Sequence, residues 1–477
     1  MFGGVQVITF VVMLIRSKVV AQYLGPDGYG INTLFNSALL FVTGISSLGL
    51  NNSAVRELAE KAASGDRDQL NKSMTVFVRW TAVCGLAGTL FVLIFSGKLS
   101  KWTFDSGDYK WSFLALSVIP VMTIMSNARI SLLQGTGRLK NIARINILSA
   151  LLGLLSLPLY YFYNVKAIVP VLIILAVIPF LLSLYYSRDI HYEKISLTVR
   201  ETFTSGAGLV RLGLLITFSS YFYLTGTYLF NLFVAHITGP SDVGLYQAGW
   251  LIANQSVGLV LTAMSTYYYP QLASMNKDHD RVRQFVNQQV EITVLVMGPI
   301  LIALIVFIPL AIRIFLAPSF LVITDFVRLT ALGTFFRALT WCLGFILLAR
   351  NDTRRYMFCE ITGYTVMFAG YFAGYYLAGL KGLGIAYIAG YIFHFLLTLY
   401  LNIKTIQFRF QRETAKIIFV FAVLAALTYL ASRLESPAGF YTAATILMVV
   451  ALTYAYLELD KRLNVREFIK SIRIKNF

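Results

Sequence analysis

Long apolar runs, separated by short polar segments, cover most of this sequence. Fourteen of these runs are bounded by charged residues or by Gly and Pro, and each is long enough for a transmembrane helix of about 20 residues. With soft ends, they cover residues 3–24, 30–50, 74–96, 112–134, 145–163, 166–186, 208–237, 243–268, 291–314, 325–349, 358–379, 383–402, 417–433 and 438–457. The pattern predicts an all-α polytopic membrane protein with about fourteen transmembrane helices.

The composition supports a membrane protein and excludes a soluble one. Hydrophobic residues make up 57% of the 477 residues and charged residues only 13%, whereas soluble domains carry about 25% charged residues. The three cysteines, Cys84, Cys342 and Cys359, all lie inside apolar runs. This placement excludes a disulfide framework.

Basic residues are concentrated in one set of the predicted loops. The chain has 40 Lys and Arg against 22 Asp and Glu, a net charge of +18. Loops after the even-numbered spans, with the C-terminal tail, carry 26 of the basic residues, and loops after the odd-numbered spans carry 5. The positive-inside rule therefore places both termini in the cytoplasm. The net charge follows from this topology and from attraction to anionic lipid headgroups, so no nucleic-acid partner is expected.

A Gly-Pro motif indicates an internal repeat. Residues 21–30 (AQYLGPDGYG) match residues 235–244 (AHITGPSDVG) at an offset of 214 residues. Gly44 and Gly258 share this offset, and a third pair of segments follows at 215. Gly-Pro turns common to unrelated membrane hairpins are the alternative explanation, but the near-constant offset favours a duplication.

The offset covers six predicted spans, and six is an even number, so the two copies insert with the same orientation. We therefore expect two six-helix lobes related by a parallel repeat, with two further C-terminal helices. The predicted divisions are an N-terminal lobe (1–190), a C-terminal lobe (191–407), two appended transmembrane helices (408–457) and a basic cytoplasmic tail (458–477).

The start of the chain carries a resemblance to a known family. It lies in residues 2–7 (FGGVQV), 15–18 (IRSK), 24–30 (LGPDGYG), 48–50 (LGL) and 53–56 (SAVR). These segments resemble the opening of Wzx-type flippases, in the polysaccharide-transporter branch of the multidrug/oligosaccharidyl-lipid/polysaccharide exporter superfamily. Over the rest of the chain the similarity is one of topology. Such proteins usually begin with a short cytoplasmic lead, and its absence before the first span suggests a truncated start.

The resemblance implies a two-lobe, fourteen-helix exporter in the bacterial inner membrane. Its substrate would be an undecaprenyl-pyrophosphate-linked oligosaccharide of O-antigen or a related surface polysaccharide, moved from the cytoplasmic to the outer leaflet. A polysaccharide polymerase and a chain-length regulator would be its protein partners, with membrane lipids around it.

Charged residues within the apolar runs are almost all basic. The basic set is Arg16, Lys18, Arg79, Arg129, Arg211, Arg313, Arg328, Arg337 and Arg433, whereas the acids Glu291, Asp325 and Glu360 lie at span edges and none lies in the middle third of a span. A charge in hydrocarbon costs about 2.5–3.5 kcal/mol and indicates function by default. This asymmetry predicts an anion-binding site. It also disfavours proton coupling through a carboxylate relay, for which Glu360 is the first candidate.

Five of these basic residues are predicted to bind the pyrophosphate: Arg337, Arg16, Arg129, Lys18 and Arg211. Arg337 is twelve residues from either end of its span, a depth of ~18 Å at 1.5 Å per residue that is too great for its side chain to reach water comfortably. It faces either a cavity or buried carbonyls. Arg16 occupies a basic position of the family-like opening, whereas Lys18, Arg129 and Arg211 could instead extend to the interface. Guanidinium groups suit the site because they bind phosphate through two hydrogen bonds.

Polar side chains near these positions could contact sugar hydroxyls. The candidates are Asn36, Asn127, Gln247, Trp250, Asn254 and Gln255. Hydrogen bonding between helices is the alternative explanation for each. The aromatic run at residues 160–163 is predicted to lie in a belt at the membrane interface.

No feature of the sequence indicates an enzyme. It contains no P-loop and no G-x-S-x-G motif, and its four histidines lack metal-ligand spacing, so we expect no catalytic residue, metal or cofactor. A cation-coupled multidrug exporter of similar architecture is one alternative, but it would need carboxylates in mid-membrane. A glycan polymerase or ligase is the other, but it would resemble enzymes with a large external loop, and the longest here is residues 97–111. A flippase is therefore favoured.

Overall fold

The computed structural model describes residues 2–190, 195–276, 278–350 and 352–463, and this part of the chain is helical almost throughout. The helices are α1 (Phe2–Ser46), α2 (Leu50–Ser64), α3 (Arg67–Phe104), α4 (Lys110–Leu116), α5 (Val118–Gly135), α6 (Leu139–Leu154), α7 (Pro158–Tyr163), α8 (Ile168–Ser187), α9 (Val199–Thr238), α10 (Pro240–Ser274), α11 (His279–Phe315), α12 (Thr324–Ala349), α13 (Thr353–Ile406), α14 (Arg412–Ala431) and α15 (Pro437–Leu463). No strand occurs among the described residues, so the predicted all-α fold class is confirmed.

Every predicted span falls on helical structure, and two helices each contain two spans. Helix α1 is broken at Gly25, whose φ of 62° lies in the left-handed region that glycine tolerates. Helix α13 is broken at Ala378 and Gly379, where the φ of Gly379 is 55°. Within the described residues, ten helical stretches are long and apolar enough to cross a membrane. The number of fourteen spans stays a prediction.

Two predicted loops are helical instead. Helix α11 begins at His279, twelve residues before the predicted span, because Val282, Val286 and Val290 place one buried face on the polar segment at helical spacing. Helix α2 likewise occupies most of the predicted loop 51–73 and buries Leu50, Ala54 and Leu58. Hydrophobicity alone misses such segments, since their outward faces are polar.

The repeated Gly-Pro motif has the same backbone conformation in both copies. Gly25 has φ 62° and ψ −171°, and Gly239, at the junction of α9 and α10, has φ 93° and ψ 177°. The two copies also pack on each other. A Cβ at Gly30 would overlap the carbonyl of Pro240, and a Cβ at Gly244 would overlap the carbonyl of Pro26. Equivalent residues thus make equivalent contacts, as a local two-fold relation requires.

Alanine at either of these glycines is expected to destabilise the protein. Gly30→Ala and Gly244→Ala each place a methyl group against backbone, and such overpacking costs about 1–3 kcal/mol. Gly258→Ala is the matched control on α10, because no atom lies within 4 Å of its Cβ position and Ala is favoured over Gly in a helix by about 0.5–1 kcal/mol. Thermal unfolding of the purified protein in detergent measures the three variants. Equal melting temperatures for Gly30→Ala and Gly258→Ala would contradict the contact.

The described chain divides into two compact units. The first contains the residues up to Gln247 together with Phe315–Ser319, and the second contains the remainder. Helix α9 belongs to the first unit because it packs against α1, α2 and α3. The lobe boundaries predicted from the repeat, at residues 190 and 407, stay predictions, and the predicted tail lies outside the described residues from 464 onward.

The core of the second unit includes the two C-terminal helices. Phe421 of α14 is fully buried, and its ring contacts α11 where Gly298 leaves room for it. Ala451 and Ala455 of α15 belong to the same apolar cluster. The helices predicted as appended therefore pack as integral parts of this unit.

Candidate functional site

Arg337 lies near the middle of α12 and is half-buried. Its Nη1 donates a hydrogen bond to the amide Oδ1 of Asn254 on α10. The Nδ2 of Asn254 donates in turn to the carbonyl oxygen of Trp250, one turn earlier, over 3.1 Å. The amide is therefore oriented by its own helix. It satisfies one of the five guanidinium donors and leaves the positive charge without neutralisation by that contact.

Trp250, one turn before Asn254 on α10, packs its ring among buried aromatic side chains. Its ring centroid lies 5.0 Å from that of Tyr387, 5.7 Å from that of Tyr371 and 6.3 Å from that of Phe326. All of these residues belong to the second unit. We call Arg337, Asn254, Trp250, Tyr371 and Tyr387 the Arg337 cluster. It combines a cation, an amide and aromatic faces, the combination that ligand sites use for binding and orientation.

Arg16 has a comparable environment in the first unit. The half-buried guanidinium faces the phenols of Tyr29, beyond the break in α1, and Tyr160 in α7. Tyr160 is fully buried, and the Tyr29 hydroxyl lies 3.1 Å from Oγ of Ser17 in a hydrogen bond. Among the described residues, no carboxylate lies within ion-pair distance of Arg16. The groups around this cation are therefore neutral phenols.

The other basic candidates also belong to the first unit. The ammonium group of Lys18 donates to the backbone carbonyl of Leu316. Arg129 on α5 is half-buried and Arg211 on α9 is exposed, and neither makes an ion pair with a described residue. The binding of a pyrophosphate by these five basic residues stays a prediction.

The predicted glycan contacts have different surroundings. Asn254 and Trp250 lie beside Arg337, whereas Asn36 and Asn127 are exposed. Gln247 donates from Nε2 to Oδ1 of the fully buried Asn231, over 3.1 Å. The side chain of Gln255 lies outside the described part of the structure.

Each of the three acids at span edges has a basic partner within the second unit. The closest nitrogen–oxygen distances are 2.6 Å for Glu291 and Arg462, 2.7 Å for Asp325 and Arg433, and 3.6 Å for Glu360 and His394. Glu291 also accepts from the Thr414 hydroxyl at 2.6 Å. The acids are thus paired with two arginines and a histidine, none of which is among the five candidate residues.

Sequence reasoning missed two features of these surroundings. Tyr160 was expected in the interfacial aromatic belt, which Tyr161, Phe162 and Tyr163 fit with about 60–69% exposure, but Tyr160 itself is fully buried. Four consecutive residues of a helix point in different directions, so at least one ring of an aromatic run must face the protein interior. This helical periodicity could have identified a buried ring in residues 160–163. His394 was also overlooked, although a histidine in the middle of an apolar run is a signal in itself.

The described architecture is similar to the solved structures of two membrane transporters. It is similar to the lipid II flippase MurJ in an inward closed conformation, with a TM-score of 0.76 and 14% identity over 97% of this chain and 99% of that one. It is also similar to an inward-facing multidrug resistance MATE family transporter of the MOP superfamily, with a TM-score of 0.71 and 13% identity over 84% of this chain and 95% of the other. At these identities the likeness establishes the fold alone.

Sequence comparison defines the family. The model of a family described as "Polysaccharide biosynthesis protein" matches residues 19–325, and the chain belongs to this family. A Shigella flexneri protein named "Putative O-antigen transporter" is 26% identical over 328 residues, which cover 67% of this chain and 76% of that protein. The predicted resemblance to polysaccharide transporters of the exporter superfamily is therefore confirmed.

Proposed function

We propose that this protein is a flippase for an undecaprenyl-pyrophosphate-linked oligosaccharide. It moves the repeat unit of O-antigen or a related surface polysaccharide from the cytoplasmic to the outer leaflet of the bacterial inner membrane, with both of its own termini in the cytoplasm. The family membership and the name of the Shigella relative support a polysaccharide substrate. The MurJ-like fold is compatible with a lipid-linked one.

The observation that carries the proposal is the kind of partner that the candidate arginines have. Arg337 contacts the neutral amide of Asn254, and Arg16 faces two neutral phenols. A neutral amide or phenol does not cancel the charge of a guanidinium group, so these contacts are compatible with binding of an anion. A pyrophosphate fits this requirement, and the ring of Trp250 offers an apolar face for a sugar next to it.

The same observation argues against a cation-coupled multidrug exporter. Such an exporter needs buried carboxylates that can accept a cationic drug. In the described residues, Glu291 and Asp325 are engaged by arginines at 2.6 and 2.7 Å. The third acid at a span edge, Glu360, lies 3.6 Å from His394, so all three have a basic neighbour. An anion-binding flippase is therefore better supported than a cation-coupled exporter. As a flippase the protein performs no covalent chemistry, and we expect it to act with a polysaccharide polymerase and a chain-length regulator.

Complementation of a strain that lacks its own flippase tests the proposal. Expression of this protein is expected to restore surface polysaccharide and to remove the lipid-linked oligosaccharide that accumulates on the cytoplasmic side. Resistance to cationic drugs, measured in the same cells, should stay at the level of the empty vector. Restored drug resistance without surface polysaccharide would reject the flippase and favour the exporter. Hosts with different repeat units would identify the glycan.

A further inference from the structure

The two halves of α13 form a helical hairpin that turns at Gly379. Glycines allow the halves to approach closely. A Cβ at Gly374 would lie 2.9 Å from Cβ of Ala386, and a Cβ at Gly363 would lie 2.7 Å from Cδ2 of His394. Residues at similar distances from the turn therefore face each other, and the imidazole of His394 occupies the space that Gly363 leaves.

This packing places His394 beside an acid. Its Nε2 lies 3.6 Å from Oε1 of Glu360, which is one turn from Gly363 on the same face of the first half. The His394 side chain is 5% exposed, and neither ring nitrogen makes a hydrogen bond with a described residue. A buried imidazole whose acidic neighbour lies beyond hydrogen-bond distance is unfavourable, so packing alone does not account for its position.

The side chains that the structure describes around this pair are a thiol, phenols and apolar residues. On α13 itself the nearest titratable groups are Cys359 and Tyr356, with the rings of Tyr364 and Tyr391 at 5.9 and 6.5 Å from the imidazole. Helix α12, which packs against α13, contributes the apolar Leu347 to this region. Among the described residues, Glu360 has no lysine or arginine within ion-pair distance.

The chemistry of an isolated acid and imidazole favours one bound proton. A buried site of low polarity disfavours net charge. The pair has zero net charge when it holds one proton in total, either as carboxylate with imidazolium or as carboxylic acid with imidazole. Loss of that proton leaves one uncompensated negative charge. The Glu360 side chain is 16% exposed and that of His394 is 5% exposed, so the acid is the more accessible member of the pair.

We propose that Glu360 and His394 form a proton-binding site of the transporter. The proposal rests on the proposed function, because it assigns the site to the ion that is exchanged for the lipid-linked anion. One proton enters the pair from outside and leaves it toward the cytoplasm while the pyrophosphate headgroup moves outward. No covalent bond changes in this exchange. The sequence argument against a carboxylate relay considered acids alone and did not consider a histidine on the facing helix.

Proton binding can be measured without any transport. We would label the histidines of the full-length protein with ¹³C and ¹⁵N and record their NMR signals against pH, with His394→Gln used to assign the signal of His394. The expected result is that His394 titrates and that Glu360→Gln changes its midpoint by about one pH unit or more, as the loss of a charge within 4–6 Å should. A neutral imidazole at every pH, or an unchanged midpoint in Glu360→Gln, overturns the site. A titration that responds to Na⁺ by displacement would assign the pair to sodium and reject the proton.

Transport is tested separately in proteoliposomes that contain the lipid-linked oligosaccharide extracted from the flippase-deficient host. With the membrane potential clamped at zero by valinomycin and equal K⁺, an acidic external compartment is expected to accelerate outward movement in the wild type. Glu360→Gln and His394→Gln should lose this acceleration. His279→Gln and Glu413→Gln, which alter exposed residues of the same unit, should keep it.

The two assays distinguish failure of the site from failure of the function. Wild-type acceleration that persists in both Glu360→Gln and His394→Gln overturns the coupling role of the pair. Absence of any transport by the wild type, in every gradient, rejects the proposed function, and the NMR titration then still decides whether the pair binds a proton.

Discussion

Replacing Arg337 by alanine is expected to abolish restoration of surface polysaccharide while the protein accumulates normally in the membrane. The guanidinium is the most deeply placed basic group of its span, and the amide of Asn254 orients it without neutralising it. Hydrogen bonds to a charged group contribute about 1.5–3 kcal/mol, so loss of the proposed contact with a pyrophosphate should slow transport roughly 10- to 100-fold. Lysine at this position retains the charge but not the planar pair of donors, so Arg337→Lys should restore only part of the activity.

Asn254→Asp provides the sharper version of this experiment. The substitution changes the shape of the side chain very little, but it places a carboxylate against Arg337. A carboxylate at this distance forms a charge-assisted hydrogen bond with the guanidinium and competes with an anionic substrate for it. Transport should fall as far as in Arg337→Ala, without a fall in protein level or melting temperature. Normal transport by Asn254→Asp would show that the charge of Arg337 is not used.

Arg328→Ala is the matched control on the same helix. The Nε of Arg328 donates to the carbonyl of Ile305 over 3.2 Å, and its guanidinium stacks on the ring of Phe440 at 5.2 Å. This arginine therefore contributes to packing. Its replacement by alanine should lower the melting temperature but leave the transport rate per folded protein nearly unchanged.

Full complementation by Arg337→Ala at normal protein level would remove Arg337 from the substrate site.

The transport rate is expected to depend on the membrane potential more strongly than on the pH gradient. An undecaprenyl pyrophosphate headgroup carries about two negative charges toward a positive exterior, and each gains ~2.3 kcal/mol per 100 mV, about 4–5 kcal/mol in total. One proton exchanged at Glu360 and His394 adds about 1.4 kcal/mol per unit of pH difference. The electrical contribution is therefore the larger of the two.

Proteoliposomes separate these contributions. Collapse of the potential with valinomycin and K⁺ should reduce the outward rate strongly, and collapse of the pH gradient with nigericin should reduce it less. The measurement is the fraction of lipid-linked oligosaccharide that becomes accessible to an added glycosidase. A rate that is indifferent to the potential but lost with the pH gradient would reject the electrical mechanism and leave the proton as the main driving ion.

The pattern of apolar and polar residues along the sequence predicted much of the fold but only part of the candidate site. The positions of the spans were predictable because hydrocarbon requires about 20 apolar residues in succession and every backbone group must be bonded within its own helix. The depth of Arg337 followed from the same count. Its contact with Asn254 did not, because the two residues are 83 positions apart and the sequence does not state which helices are neighbours.

The repeat shows the same division between pattern and packing. The sequence determined that a Gly-Pro motif occurs twice, and the positive φ of Gly25 and Gly239 is a local property of such motifs. Only the tertiary structure decided that the copies contact each other through Gly30 and Gly244. A glycine in the sequence indicates that another group can approach the backbone closely, but it does not identify that group.

The partners of the charged residues could be identified only from the tertiary structure. The sequence by itself determined how many acids and bases the apolar runs contain and how deep they lie, which was enough to predict a membrane protein with an excess of buried positive charge. Packing decided that Glu291 and Asp325 pair with arginines, that Glu360 faces His394, and that Arg337 faces an amide. The reason is that the energy of a buried charge depends on groups within a few ångströms, and in a helical bundle most of those groups come from other helices.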